Sequence, residues 1–254
     1  MTPPGNDAIL SRPGYLKPEY GGDMAMEENY KGRESFFHVD LLKEGTELSA
    51  TQFNMGIGLL LLFGFGMNIL CLRGFASAVY SLNPVVLLVL YFVCVLAGTV
   101  IANSSKNPVM CFIGYCLVAI PMGICISPLV RAYTTGSVLN AMMITAAITT
   151  LMMFASMARP QWFAGLGKTL FVSLIIVFIV ELVSVFLLRT HLSILDYIVA
   201  AIFSLYIGYD WHVANLQFKS PVNTVRVALN LYLDIINLFV RLLQIFGKRR
   251  SDSF

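Results

Sequence analysis

Seven runs of apolar residues, separated by short polar stretches, set the pattern of this chain. They cover about Phe53–Leu72, Pro84–Ala102, Val109–Val130, Val138–Met157, Phe163–Leu188, Ser193–Tyr209 and Asn223–Gly247. Most approach or exceed the ~18 consecutive apolar residues that span a bilayer, and their length predicts helices rather than a barrel. In the seventh run the polar positions are ordered. Arg226, Asn230, Asp234, Asn237, Arg241 and Gln244 follow one another in steps of 4, 4, 3, 4 and 3. At about 100° per residue they share an arc of about 80°, and Leu, Ile, Val and Phe fill most of the rest. A polar stripe with a carboxylate at membrane depth does not face lipid, so other helices are expected to surround it. The fold class is an all-α membrane protein, a seven-transmembrane helix bundle in one domain over residues 51–247.

The other runs carry smaller signals. Gly56, Gly58, Gly64 and Gly66 are expected to allow close approach between helices. Pro121 removes a helical hydrogen bond and predicts a kink. Thr145, Thr149 and Thr150 can bond back to their own helix. Glu181 interrupts the fifth run, and the sixth ends at Tyr209-Asp210-Trp211-His212. Residues 1–50 are polar, with Pro3, Pro4, Pro13 and Pro18, and are read as a loosely structured arm. Within it, Glu34–Leu48 could form a surface helix with Phe36, Phe37, Leu41 and Leu42 at the membrane interface. No cleavable signal peptide is expected, so the first helix acts as its own insertion signal. Residues 248–254 form a basic tail.

Composition narrows the class. The 254 residues are 57% hydrophobic and 12% charged, against roughly 25% charge in soluble domains. A net charge of +3 gives no case for nucleic-acid binding. Cys71, Cys94, Cys111, Cys116 and Cys125 lie in or beside apolar runs without metal-ligand spacing, and are read as packing residues. With the N-terminus cytoplasmic and seven crossings, Lys31, Arg33, Lys43, Lys106, Arg159, Lys168, Lys219 and Arg226 fall inside. Arg73, Arg131 and Arg189 fall outside, joined there by Lys248, Arg249 and Arg250. The loops follow the positive-inside rule and the tail violates it. Seven crossings are favoured over a last segment that enters and returns.

Asp234 is the leading site residue, because an aspartate at a helix centre costs roughly 2.5–3.5 kcal/mol to insert and calls for a partner or water. The plainer reading is a protonated carboxyl hydrogen-bonded across the bundle. Asp210 alone is a weak candidate, since an aspartate at a helix end is usually just solvated; it gains weight only if it meets Asp234, because two carboxylates in contact cannot easily both ionise and would share a proton and titrate as a unit. Losing that proton would leave repelling oxygen ligands suited to Ca²⁺. Glu181 has no partner evident in sequence and is read either as a second station on an ion or proton path or as a neutral carboxyl. Asn230 and Asn237 are placed to bond neighbouring helices or orient the carboxylate. Arg241 either snorkels to the interface or neutralises the pore. His212, His191 and His38 carry no role. Gly165–Thr169 lacks the further glycine and the strand that a phosphate loop needs. Nothing matches a nucleophile–base set, a zinc site or a dinucleotide fingerprint, so no enzyme activity and no bound cofactor are expected.

The segment LYLDIINLFVRLLQIFG, Leu231–Gly247, resembles the C-terminal signature of the transmembrane Bax inhibitor motif family, and SLYIGYDW, Ser204–Trp211, is similar to that family's sixth helix. The resemblance implies a bundle with the C-terminal helix central and a pH-sensitive Ca²⁺ leak. It implies that Asp210 and Asp234 form a hydrogen-bonded gate pair. Some bacterial members lock that pair with an arginine near the second helix. Here the turn reads NSSKNP and offers only Lys106, so the lock is absent, taken over by a cation such as Arg226 or Arg241, or different in kind.

The resulting expectation is a cation leak pathway in the bilayer with Ca²⁺ and H⁺ as its ions. The alternative is a non-conducting regulator that binds another membrane protein, a protease or a cell-death or stress-response regulator. An intramembrane hydrolase using the two aspartates as a dyad lacks support. Divergent loops favour a bacterial cytoplasmic membrane over a eukaryotic endomembrane.

Overall fold

The computed structural model describes residues 46–74, 84–186 and 193–250. The N-terminal arm to residue 45, His38 and His191 lie outside them, as does most of the expected surface helix at 34–48. The described chain is helical: α1 Ala50–Gly74, α2 Pro84–Ser104, α3 Pro108–Ala132, α4 Thr135–Ala158, α5 Pro160–Ala164, α6 Leu166–Phe186, α7 Ser193–Leu216 and α8 Pro221–Phe246. Six of these (α1, α3, α4, α6, α7 and α8) are long and apolar enough to cross a membrane, and α2 adds a shorter apolar stretch, Val89–Ser104. The protein is an integral, multi-pass membrane protein.

Local chemistry sets the helix starts. Asn107 caps α3 by accepting from the Val109 N–H at 2.9 Å, with Pro108 in the first turn. Ser220 caps α8 the same way, accepting from the Asn223 N–H at 3.2 Å, with Pro221 next. A side-chain oxygen before a first-turn proline satisfies an orphan donor where proline has none to lose. α3 continues unbroken through Pro121 and Pro128.

Three sequence expectations change. The fifth apolar run divides at Gly165 into the five-residue α5 and the long α6. The sixth runs on past Tyr209 to Leu216, so Asp210 is inside a helix rather than at its end. Of the four α1 glycines, only Gly56 and Gly64 face close neighbours (Thr224 for the first, Tyr115 and Tyr232 for the second); Gly58 and Gly66 face open space.

α8 packs against α1, α2, α3, α4 and α7. Its Val225, Val227–Leu229, Leu231, Tyr232, Leu238 and Leu243 are buried in the main core with Phe53 and Ile57 of α1 and Tyr115 and Val118 of α3. Its start lies at the start of α1, where the Leu48 N–H donates to the Lys219 carbonyl at 2.8 Å. Its end lies at the α3–α4 turn, where Thr134 N–H donates to the Lys248 carbonyl at 3.0 Å. At 1.5 Å per residue α8 is about 39 Å long, more than the ~30 Å hydrocarbon layer.

Candidate functional site

Asp234 lies midway along α8 and is 7% exposed. α7 runs antiparallel beside it and brings Asp210 into side-chain hydrogen-bond contact. Tyr206, one turn before Asp210, lies within electrostatic range of both carboxyls. A hydrogen bond between two carboxyl groups requires a proton on one of them, since a carboxylate only accepts. Asp234 Oδ2 is buried and accepts no hydrogen bond from an amide, hydroxyl or cationic donor among the described residues. The contact therefore depends on one proton.

The rest of the polar stripe divides into separate tasks. Arg226, 7% exposed, donates to the carbonyls of Ala102 (3.2 Å), Asn103 (2.8 Å) and Ser105 (3.0 Å). Its planar fork gathers two of the last carbonyls of α2, which the helix itself cannot satisfy, and that of Ser105 just beyond it. Arg241 holds two acids at once: Glu181 of α6 at 2.7 Å and Asp196 of α7 at 2.8 Å. Glu181 is thus not unpaired, and Arg241 does not simply snorkel. Asn237 donates back to the Leu233 carbonyl of its own helix at 2.7 Å, and Asn230 is exposed. Among the described residues, neither hydrogen bond expected of these two asparagines, to a neighbouring helix or to the carboxylate, is seen.

Sequence reasoning missed Asp196, which is 3% exposed. An acid in a helix's first turn reads as an ordinary complement to the helix dipole. A signal was present: Asp196 and Arg241 lie equally far from the turn at 217–220, and an antiparallel hairpin brings such positions level. Thr145 and Thr150 bond back to Ala141 and Ala146 as expected. Thr149 does not; its hydroxyl is buried and unpartnered among the described residues. The five cysteines are free. Among the described residues no three His, Cys, Asp or Glu side chains group as a metal site, so any cation at the aspartate pair would be held by two carboxyls and by backbone or water oxygens.

An all-helical membrane protein with a carboxyl pair between its last two long helices is the class that fold and site define. The sequence matches the family model "Inhibitor of apoptosis-promoting Bax1" over residues 48–251, and the chain belongs to that Bax inhibitor family. An uncharacterized membrane protein of Streptococcus pyogenes serotype M3 is 28% identical over 207 residues, 76% of this chain and 88% of that protein. A Golgi anti-apoptotic protein of Vaccinia virus (strain Lister) is 28% identical over 177 residues, covering 69% and 72%. A Helicobacter pylori (strain J99) protein is 34% identical over 114 residues; the match spans 44% of this chain and 48% of the relative's length. No solved structure matches.

Proposed function

We propose that the protein is a pH-sensitive cation leak pathway, with Ca²⁺ as its principal ion and Asp210 and Asp234 as its gate. The observation that carries this reading is the carboxyl–carboxyl hydrogen bond between α7 and α8. While one proton is shared, it ties the two helices together. As pH rises and that proton leaves, two carboxylates repel at close range in a low-dielectric site. The helices part there, and the freed oxygens suit a hard cation. In this reading α2 completes seven crossings, α8 runs centrally through the bundle, and the N-terminus is cytoplasmic. The exposed Asn230, one turn from Asp234, marks the side from which water reaches the pair. Arg226 and Arg241 already serve α2 and the Glu181–Asp196 pair, so the closed state rests on the proton rather than on an arginine lock. The divergent loops favour a bacterial cytoplasmic membrane as the host.

The test is Ca²⁺ flux from proteoliposomes across a pH series. Wild-type flux is expected to rise with pH. Asp210→Asn and Asp234→Asn each leave one carboxyl facing an amide that can donate to it whether or not it is ionised, so two like charges cannot form and both variants are expected to hold flux low and flat. Unchanged flux and pH dependence in both variants would rule the gate out.

A second reading follows from the relatives. The family description and the viral Golgi protein both concern suppression of apoptosis, which suits a non-conducting regulator bound to another membrane protein. Deleting residues 1–45 separates the two readings: a leak pathway keeps conducting, whereas a regulator working through the arm loses its partner.

A further inference from the structure

A cavity of about 430 Å³ lies between α1, α3, α4 and α8, walled by apolar side chains such as Leu61, Phe65, Met142 and Phe239. Its volume is in the ~300–1,000 Å³ range of small-ligand pockets. The walls come from the second halves of α1, α3 and α8 and mainly the first half of α4, so the cavity lies toward the α3–α4 turn. Ile69 and Met142, on two of its walls, are 49% and 48% exposed. In a multi-pass membrane protein that exposure is to the bilayer.

Basic side chains gather at the α3–α4 turn, toward which the cavity lies. Arg131 closes α3 and donates to the carbonyl of Leu72, a wall residue, while its Nε is buried without a partner among the described residues. The tail adds Arg250, whose Nε donates to the Tyr133 carbonyl at 3.2 Å, and Arg249, 6.0 Å above the Tyr133 ring. Arg73 ends α1 at the same level. Among the described residues, Glu181 and Asp196, the carboxylates toward this end of α8, are both held by Arg241. Between the basic end and the apolar floor is Asn68, 8% exposed. Its Oδ1 accepts from the Tyr232 hydroxyl at 3.0 Å, while its Nδ2 lacks an acceptor among the described residues. At 1.5 Å per residue Asn68 is about 9 Å from the end of α1, near the depth where headgroup gives way to acyl chain.

We propose that this cavity binds an anionic phospholipid of the surrounding bilayer. An acyl chain fills the apolar space, an ester carbonyl accepts from Asn68 Nδ2, and the phosphate sits at Arg131, Arg249 and Arg250. Charge complementarity selects the headgroup, as basic pockets between membrane helices do. The site also gives the basic tail a task that topology alone does not.

The test uses the full chain reconstituted in vesicles of equal phosphatidylglycerol and phosphatidylcholine, extracted in mild detergent and weighed by native mass spectrometry. One retained phosphatidylglycerol is expected, favoured over phosphatidylcholine about thirtyfold, as a pair of interfacial arginines would give. Ala146→Phe, which fills the cavity from α4, is expected to abolish retention; Met142→Trp serves if that variant does not fold. Arg249→Gln with Arg250→Gln is expected to keep a lipid but lose the preference. Equal retention of both lipids by the wild type, or wild-type retention in the folded cavity-filling variant, would overturn the proposal.

Discussion

Asp234 and Arg241 occupy one face of one helix and are satisfied by opposite means. Asp234 meets another acid and depends on a proton; Arg241 meets two acids and supplies the positive charge itself. Removing that charge leaves Glu181 and Asp196 facing each other in a largely buried site. Arg241→Gln is therefore expected to destabilise the protein by about 3 kcal/mol, read as a fall in thermal midpoint in detergent. Adding Glu181→Gln should recover part of the loss, because one carboxylate fewer then lacks a cation. An unchanged midpoint would mean the cluster adds nothing to the fold. The sequence marked Asp234 and Arg241 because charge inside an apolar run stands out, and Asp210 only through its pairing with Asp234 and the family resemblance. It did not pair Arg241 with Glu181, because partners on different helices follow from packing that periodicity along one helix does not contain.

At the scale of elements, α2 and α3 approach closely enough that glycine is required on both sides. A Cβ on Gly98 would lie 2.6 Å from the Gly114 carbonyl oxygen, and one on Gly114 would lie 2.6 Å from that of Gly98. With no hydrophobic drive between helices in lipid, such close packing does much of the holding. Gly114→Val should cost at least ~1–3 kcal/mol through overpacking, whereas Gly66→Val, facing open space, should cost far less; equal thermal midpoints would contradict this. Arg226 fixes the other end of α2. Arg226→Ala strips donors from three carbonyls and should cost about 2 kcal/mol, with faster hydrogen exchange in the last turn of α2. Arg226→Lys should recover little, since a point ammonium cannot reproduce a planar fork. The positions of the long helices were legible from apolar run length, but their close contacts were not. Gly58 and Gly66 look like Gly56 and Gly64 in sequence, and only the direction each faces separates them.

For the whole molecule, the aspartate hydrogen bond on α8 joins the fold to the proposed function. α8 reaches from the start of α1 to the α3–α4 turn and packs against five other helices, so a change of charge at Asp234 acts where neighbouring helices meet. The family signature in the last fifty residues made this pair readable in advance, while the cavity beside α1 and α4 was invisible, since its walls are ordinary apolar positions on separate helices. The most direct test of a proton-held gate follows the protonated-carboxyl infrared band and Ca²⁺ flux in the same proteoliposomes as pH is raised. The expected result is that the band is lost over the interval in which flux rises, and that Asp234→Asn removes both changes. Flux that rises while the band stays constant, or a band lost with no change in flux, would contradict the account.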